Sequence, residues 1–140
     1  MNGLSRVLFV SATALLTEVP LSAAETALPP HVTQGFEAYI AYPDSLLPVL
    51  KSVQDTASAD AAVPQLRQQL EKLYDVRSGL QGINSLSAEQ QMSIRQHYEK
   101  RMRQRWGAVY EQIFRLQNVK CYRSEEFSRM FRLLCMMLQK

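Results

Sequence analysis

The sequence predicts an all-α protein: a small antiparallel up-down helical bundle of three main helices, preceded by a proline-broken N-terminal helix. Three observations lead there. Glycine is scarce after Ser22, at Gly35, Gly79, Gly82 and Gly107. Leu, Gln, Arg, Ala, Glu and Met dominate, and all are good helix formers. Apolar residues recur three and four apart, while the two-residue alternation of a half-buried strand is absent. Short connections between helices favour antiparallel neighbours.

The N-terminus reads as an export signal. Arg6 gives a short positive start, and residues 7–16 (VLFVSATALL) form an apolar run of signal-peptide length. Small residues in Leu21-Ser22-Ala23-Ala24 place cleavage after Ala24. The run is shorter than the ~20 apolar residues that a membrane-spanning helix needs. The address predicted for residues 1–24 is therefore the periplasm or the cell exterior, with no membrane span in the mature chain. Residues 25–32 read as a disordered lead stiffened by Pro29-Pro30, and residues 33–140 as a single helical domain.

The first helical stretch covers residues 33–42, with Val32, Phe36 and Ile40 on one face. Pro43 stops it, because proline lacks the backbone donor and clashes with the preceding turn. Asp44 or Ser45 then caps a second short helix, whose apolar side is Leu46, Leu47, Leu50 and Val53. Asp55, Ser58 and Asp60 are all N-cap candidates for the next helix. Asp60 is the most consistent, since Pro64 then falls in the first turn, where no donor is needed. Val63, Leu66, Leu70, Leu73 and Leu80 make its core stripe, and Gly79, Gly82 and Asn84 end it.

Ser87 and Gln90 have capping-box spacing, the clearest helix start in the chain. The helix runs to Gln117, with Ile94, Tyr98, Met102, Val109, Ile113 and Leu116 on one face and Trp106 beside them. Gly107 leaves room there for a close helix approach. Ser124 caps the last helix, where Glu125 and Glu126 suit the positive end of the dipole. Phe127, Met130, Phe131, Leu134, Met137 and Leu138 form its core side.

Charge is split along the chain. Residues 25–84 carry four bases against seven acids, and residues 85–140 carry eleven bases against five acids. The plainer consequence is that the halves pack together and partly cancel. The other is an anionic partner: lipid head groups, an acidic glycan or an acidic protein. Export removes nucleic acid from reach. Lys100, Arg101, Arg103 and Arg105 spread around most of the helix circumference, as a solvated face does. Three arginines fall in apolar seams at 100° per residue: Arg105 between Tyr98 and Met102, Arg95 near Ile113, and Arg77 between Leu73 and Leu80. A seam arginine needs a carboxylate or carbonyls, or must reach out to water. The expected structural ion pair joins Arg105 or Arg95 to Asp55 or Asp60.

Reaction chemistry has little to stand on. The two histidines, His31 and His97, share no helix face with a second ligand, and no HExxH, CxxC or CxxCH pattern occurs. No phosphate loop, nucleophile elbow or carboxylate pair appears. No cofactor, no metal and no enzyme activity are expected. Cys121 and Cys135 are fourteen residues apart. With a helix beginning at Ser124, an internal disulfide just fails or just succeeds with strain, so bridged, free and intermolecular states all stay open.

The last helix is apolar beyond one side. Leu133 and Met136 point away from the core stripe, among Arg129 and Arg132 and flanked by Cys135. This set suits a partner surface. The expected function is a non-enzymatic protein-interaction module of the bacterial envelope, binding another envelope protein or a second copy as a homodimer. The segment Leu86-Ser87-Ala88-Glu89-Gln90 also resembles the LTxxQ motif of small periplasmic stress proteins of the Spy and CpxP type. It carries Ser for Thr and occurs once, where that family has two copies. The resemblance implies the alternative function, an ATP-independent periplasmic chaperone or stress adaptor with a basic, partly apolar cradle.

Overall fold

The structure, a computed structural model, describes residues 27–139. The leader expected over residues 1–24 lies outside them. Of the described residues, 87% are helical and none lies in a strand. Four α-helices follow in order: α1 (Pro30–Lys51), α2 (Thr56–Ser78), α3 (Ala88–Asn118) and α4 (Glu125–Gln139). Two short 3₁₀ turns, Ile83–Ser85 and Lys120–Arg123, sit between them. No helix among the described residues is long and apolar enough to cross a membrane. The described residues fall into two compact units, 27–30 with 82–97, and 31–81 with 98–139.

In the first unit, Gly82 has φ +87°, a conformation open to glycine because it lacks a Cβ. The capping box then forms in full. The Gln90 amide donates to Ser87 Oγ at 3.1 Å, and the Ser87 amide donates to Gln90 Oε1 at 3.0 Å. These bonds satisfy backbone groups that the start of α3 leaves unpaired. Gln90 Nε2 also donates to the Ala27 carbonyl at 3.0 Å. His97 Nδ1 lies 3.3 Å from the Ser93 carbonyl.

In the second unit, α1 corrects the expectation of a proline break. It runs unbroken to Lys51 with Pro43 and Pro48 inside it. Pro43 has no N–H for the carbonyl four residues earlier, that of Tyr39. That carbonyl accepts instead from the Trp106 indole N–H at 3.2 Å. Burial supplies the rest of the explanation: Ile40, Tyr42, Leu46 and Leu50 are each at most 1% exposed, so one continuous buried face outweighs two missing backbone donors. Tyr42 donates its hydroxyl to the Gln69 carbonyl at 2.7 Å, tying α1 to α2. Burial pushes that hydroxyl well above the usual phenol range. Tyr39, Tyr42 and Tyr110 surround Trp106, with ring centroids 4.9, 5.8 and 6.0 Å away.

Helix α2 also starts earlier than expected. Its N-cap is Asp55, not Asp60. Asp55 Oδ1 accepts from the Ser58 amide at 2.8 Å, and the Asp55 amide donates to Ser58 Oγ at 3.0 Å. Pro64 therefore lies well inside the helix. Pro64 and Asp60 are both exposed, so water can reach the carbonyl that Pro64 leaves free. The reciprocal Asp55–Ser58 box is a stronger start than a proline-friendly first turn.

The close approach expected at Gly107 occurs elsewhere. A Cβ on Gly107 would meet nothing within 4 Å, whereas one on Gly35 would sit 2.5 Å from the Gly79 carbonyl oxygen. Gly35 lets α1 lie directly on the chain at the end of α2. The hydrophobic core follows the expected stripes: Leu66 and Leu73 from α2, Val109, Ile113 and Leu116 from α3, and Phe127, Phe131 and Leu134 from α4 are buried together with Val53.

Two outcomes test this packing. Gly35→Ala must push the backbone at Gly79 away, and we expect a loss of about 1–3 kcal/mol in urea unfolding; an unchanged midpoint would mean the two segments do not touch. Asp55 carries the second. The Ser58 amide and hydroxyl hold its carboxyl below the ordinary aspartate range. A lowered native pKa adds stability above the ordinary range, lost as pH falls through the lowered value. The stability advantage of the native chain over Asp55→Ala should therefore shrink on acidification below about pH 4. An advantage independent of pH contradicts the cap.

Candidate functional site

Helix α4 and the corner that delivers it form the part of the molecule with unused chemistry. The corner is the turn Lys120–Arg123. All four of its residues have positive φ: 52° at Lys120, 51° at Cys121, 52° at Tyr122 and 63° at Arg123. None is glycine, so each carries a Cβ crowded against the following carbonyl, at roughly 1–2 kcal/mol per residue. Such a turn persists only if its surroundings over-determine it.

Those surroundings come from three helices. Thr56 Oγ1, in the first turn of α2, donates to the Tyr122 carbonyl at 2.7 Å. Arg115, in the last turn of α3, donates through Nη1 to the Tyr122 hydroxyl at 3.2 Å. Its Nη2 donates to the Leu50 carbonyl at 3.0 Å. Leu50 lies in the last turn of α1, so the guanidinium sits where a helix end is partially negative and its carbonyls lack helical donors. Its Nε donates to Gln112 Oε1 at 2.8 Å. One arginine thus joins α1, α3 and the corner.

Ser124 finishes the turn. Its amide donates to the Cys121 carbonyl at 3.1 Å. Its hydroxyl donates to Asp60 Oδ1 and accepts from the Phe127 amide at 3.3 Å, so it caps α4 as the sequence suggested. At the far end of α4, Arg77 Nη1 donates to the Met137 carbonyl at 2.7 Å. Arg77 is thus the seam arginine satisfied by a carbonyl, and it lines a cavity of about 420 Å³ with Tyr74, Ser78, Gln81 and Met137.

The expected ion pair takes other partners. Arg105 Nη1 meets Asp44 Oδ2 at 2.8 Å, in place of Asp55 or Asp60. Asp55 is held by Ser58 and Asp60 by Ser124, so both carboxylates serve the start of α2 and the corner. Asp44 faces α3 from α1. Arg95 is exposed and joins no ion pair among the described residues. Arg101 makes a two-pronged contact with Glu37 at 2.8 and 3.0 Å, and Arg103 pairs with Glu99. The basic cluster is therefore largely engaged with acids. These pairs are about half exposed or more, so water and salt screen them and they add little to stability.

Helix α4 divides as its register predicts. Phe127, Phe131 and Leu134 are buried, and the helix packs chiefly against α2. On the other side Leu133 is 43% exposed and Met136 51%, with Arg129 and Arg132 exposed around them. Neither arginine forms an ion pair among the described residues. Cys135 lies half-buried at the border, with Gln117 Nε2 4.0 Å from its sulfur. Cys121 is buried, and the two thiols are free. Burial pushes both thiols up, and a charge on Cys121 would raise Cys135 further. Their neutral forms are favoured, which slows their attack as nucleophiles.

No group of three metal-ligating side chains occurs among the described residues. Compared with protein-family models, curated proteins and solved structures, the chain matches none. Sequence reasoning found the face of α4 from its 3.6-residue period. It missed Thr56, Arg115 and Tyr122, because a left-handed turn of Lys, Cys, Tyr and Arg carries none of the usual glycine or asparagine signal.

The corner's anchorage is testable by a double-mutant cycle. Thr56→Val should cost about 1 kcal/mol, and Arg115→Met about 1.5–3 kcal/mol. Since both hold Tyr122, the cycle should show coupling of at least about 0.5 kcal/mol. Strict additivity in urea unfolding would refute a shared anchor.

Proposed function

We propose that this protein is an exported, non-enzymatic interaction module of the bacterial envelope. It is arranged as an antiparallel up-down helical bundle and presents the outer face of α4 to an acidic protein partner, either another envelope protein or a second copy. The carrying observation is the exposure of Leu133 and Met136 between Arg129 and Arg132, on a helix whose opposite side is buried. Apolar groups ringed by arginines that form no ion pair among the described residues match the composition of an interface centre, where aromatic residues, Met and Arg are enriched. Methionine adapts its shape to the surface it meets. The guanidinium groups favour carboxylates on the partner and set orientation through paired donors. The export signal of residues 1–24 supports the envelope address, and the apolar run there is of leader length.

The arginines of α4 differ in kind from those of α3. Arg101, Arg103 and Arg105 already face Glu37, Glu99 and Asp44. Arg129 and Arg132 face outward with their charge unspent, so salt should weaken the proposed association through them and not through α3.

The test is capture from native envelope extract, with size measurement of the purified chain. Leu133→Asp should abolish association, with helical content unchanged. Arg129→Glu with Arg132→Glu should weaken it at least tenfold, about 1.4 kcal/mol, and flatten its salt dependence. Association that survives Leu133→Asp in a folded protein, or a full-length uncleaved chain confined to the cytosol, would overturn the proposal.

A further inference from the structure

The corner and α4 hold one more arrangement, which the interaction reading leaves unused. Cys121 and Cys135 lie along the same seam. The Cys121 thiol is in hydrogen-bond contact with Ser128 and feels the charge of Arg132. Ser128, Arg132 and Cys135 follow one another at i, i+4 and i+7, on one face of α4. Gln117, at the end of α3, reaches the Cys135 sulfur from the other side. Both cysteines therefore border the space between the end of α3 and the first three turns of α4.

From these placements we propose that Cys121 and Cys135 form a reversible intramolecular disulfide, with the left-handed corner as the part that moves to close it. Along α4, Cys135 lies about 10 Å beyond Ser128, the residue Cys121 now touches. A disulfide needs Cα atoms within about 7 Å, so the sulfurs must approach. The corner has that reach in store. Four residues wound in a left-handed turn advance about 1.5–2 Å each, and extended ones about 3.3 Å each. Three steps separate Cys121 from the Ser124 cap, so unwinding lets Cys121 slide along α4 by about 4–5 Å, leaving about 5–6 Å along the axis, and relieves the crowding at the four Cβ atoms of the turn. The contacts given up are Thr56 to the Tyr122 carbonyl, Arg115 to the Tyr122 hydroxyl, the Ser124 amide to the Cys121 carbonyl, and the packing of Cys121 in the core.

The chemistry is thiol–disulfide exchange with an external disulfide, a small molecule or a protein. Half-buried Cys135 is the accessible thiol. It loses its proton to water, and its thiolate attacks one sulfur of the donor. The donor S–S bond breaks, a mixed disulfide forms on Cys135, and the first donor thiolate leaves and takes up a proton. Cys121 then loses its proton and attacks Cys135 Sγ. The mixed bond breaks and the second donor thiolate departs. Two protein thiols are oxidised, and one external disulfide is reduced to two thiols. The burial that keeps the thiols neutral slows the attack and also disfavours reopening, because a thiol that ionises poorly is a poor leaving group.

The experiment incubates the purified chain with oxidised glutathione at near-neutral pH, followed by alkylation in denaturant and intact-mass measurement. The native chain should end as a monomer about 2 Da lighter, with no thiol left to alkylate and no glutathione attached. Trypsin should release residues 121–123 joined to residues 133–140. Cys121→Ser should retain a glutathione adduct on Cys135, and Cys135→Ser should take up none. If Cys121→Ser loses its helical content, the linked tryptic peptides from the native chain decide the matter alone. A native chain that keeps its glutathione adduct, alkylates at both cysteines or becomes a disulfide-linked dimer overturns the proposal.

Discussion

The orientation of α4 depends on how Arg115, Thr56 and Ser124 hold the left-handed corner between α3 and α4. A turn of four non-glycine residues with positive φ is unfavourable in isolation. It is maintained by polar contacts that start on different helices and end within three residues of one another. Arg115 is central, because one planar guanidinium bonds the end of α1 and the Tyr122 ring together. With the corner fixed, α4 enters with Phe127, Phe131 and Leu134 against the core. Leu133 and Met136 are then left outside by the geometry of 3.6 residues per turn.

The same logic recurs at Pro43 in α1. A helix interrupted in its donors survives where its buried face is continuous and a side chain from another helix meets the freed carbonyl. Trp106 meets the Tyr39 carbonyl in this way, and the aromatic cluster around it ties α3 to α1. The polar ends of helices are handled alike. Arg115 sits at the end of α1 and Arg77 at the end of α4, each giving N–H donors to a carbonyl that has no partner within its own helix. Arginine in this protein acts more through carbonyls and helix ends than through buried carboxylates.

Much of the helical pattern was legible in the sequence. The stripe Leu66–Leu73, the face Val109–Ile113–Leu116 and the alternation of Phe127, Phe131 and Leu134 with Leu133 and Met136 all follow from a period that any helix imposes. The Ser87–Gln90 box was legible because its two residues bond each other locally. What failed needed tertiary knowledge. Pro43 reads as a stop unless Trp106 is known to lie beside Tyr39. Asp60 reads as a cap until Ser124 is seen to claim it. Gly107 and Gly35 are alike as letters, and only the crossing near Gly79 separates them. The carboxylate for Arg105 came from Asp44, whose proximity depends on α1 continuing through the proline that seemed to end it. Nothing local in Lys120-Cys121-Tyr122-Arg123 predicts a left-handed path.

The most direct measurement is the strength of the intraresidue amide-to-Hα nuclear Overhauser effects at residues 120–123 in solution, since positive φ brings those two protons together. Strong effects at all four residues, set against weak ones through residues 108–118 and 125–138, are the predicted result. Weak, helix-like effects straight through residues 118–126 would mean that α3 runs on into α4. The corner, and the exposed face it creates, would then not exist.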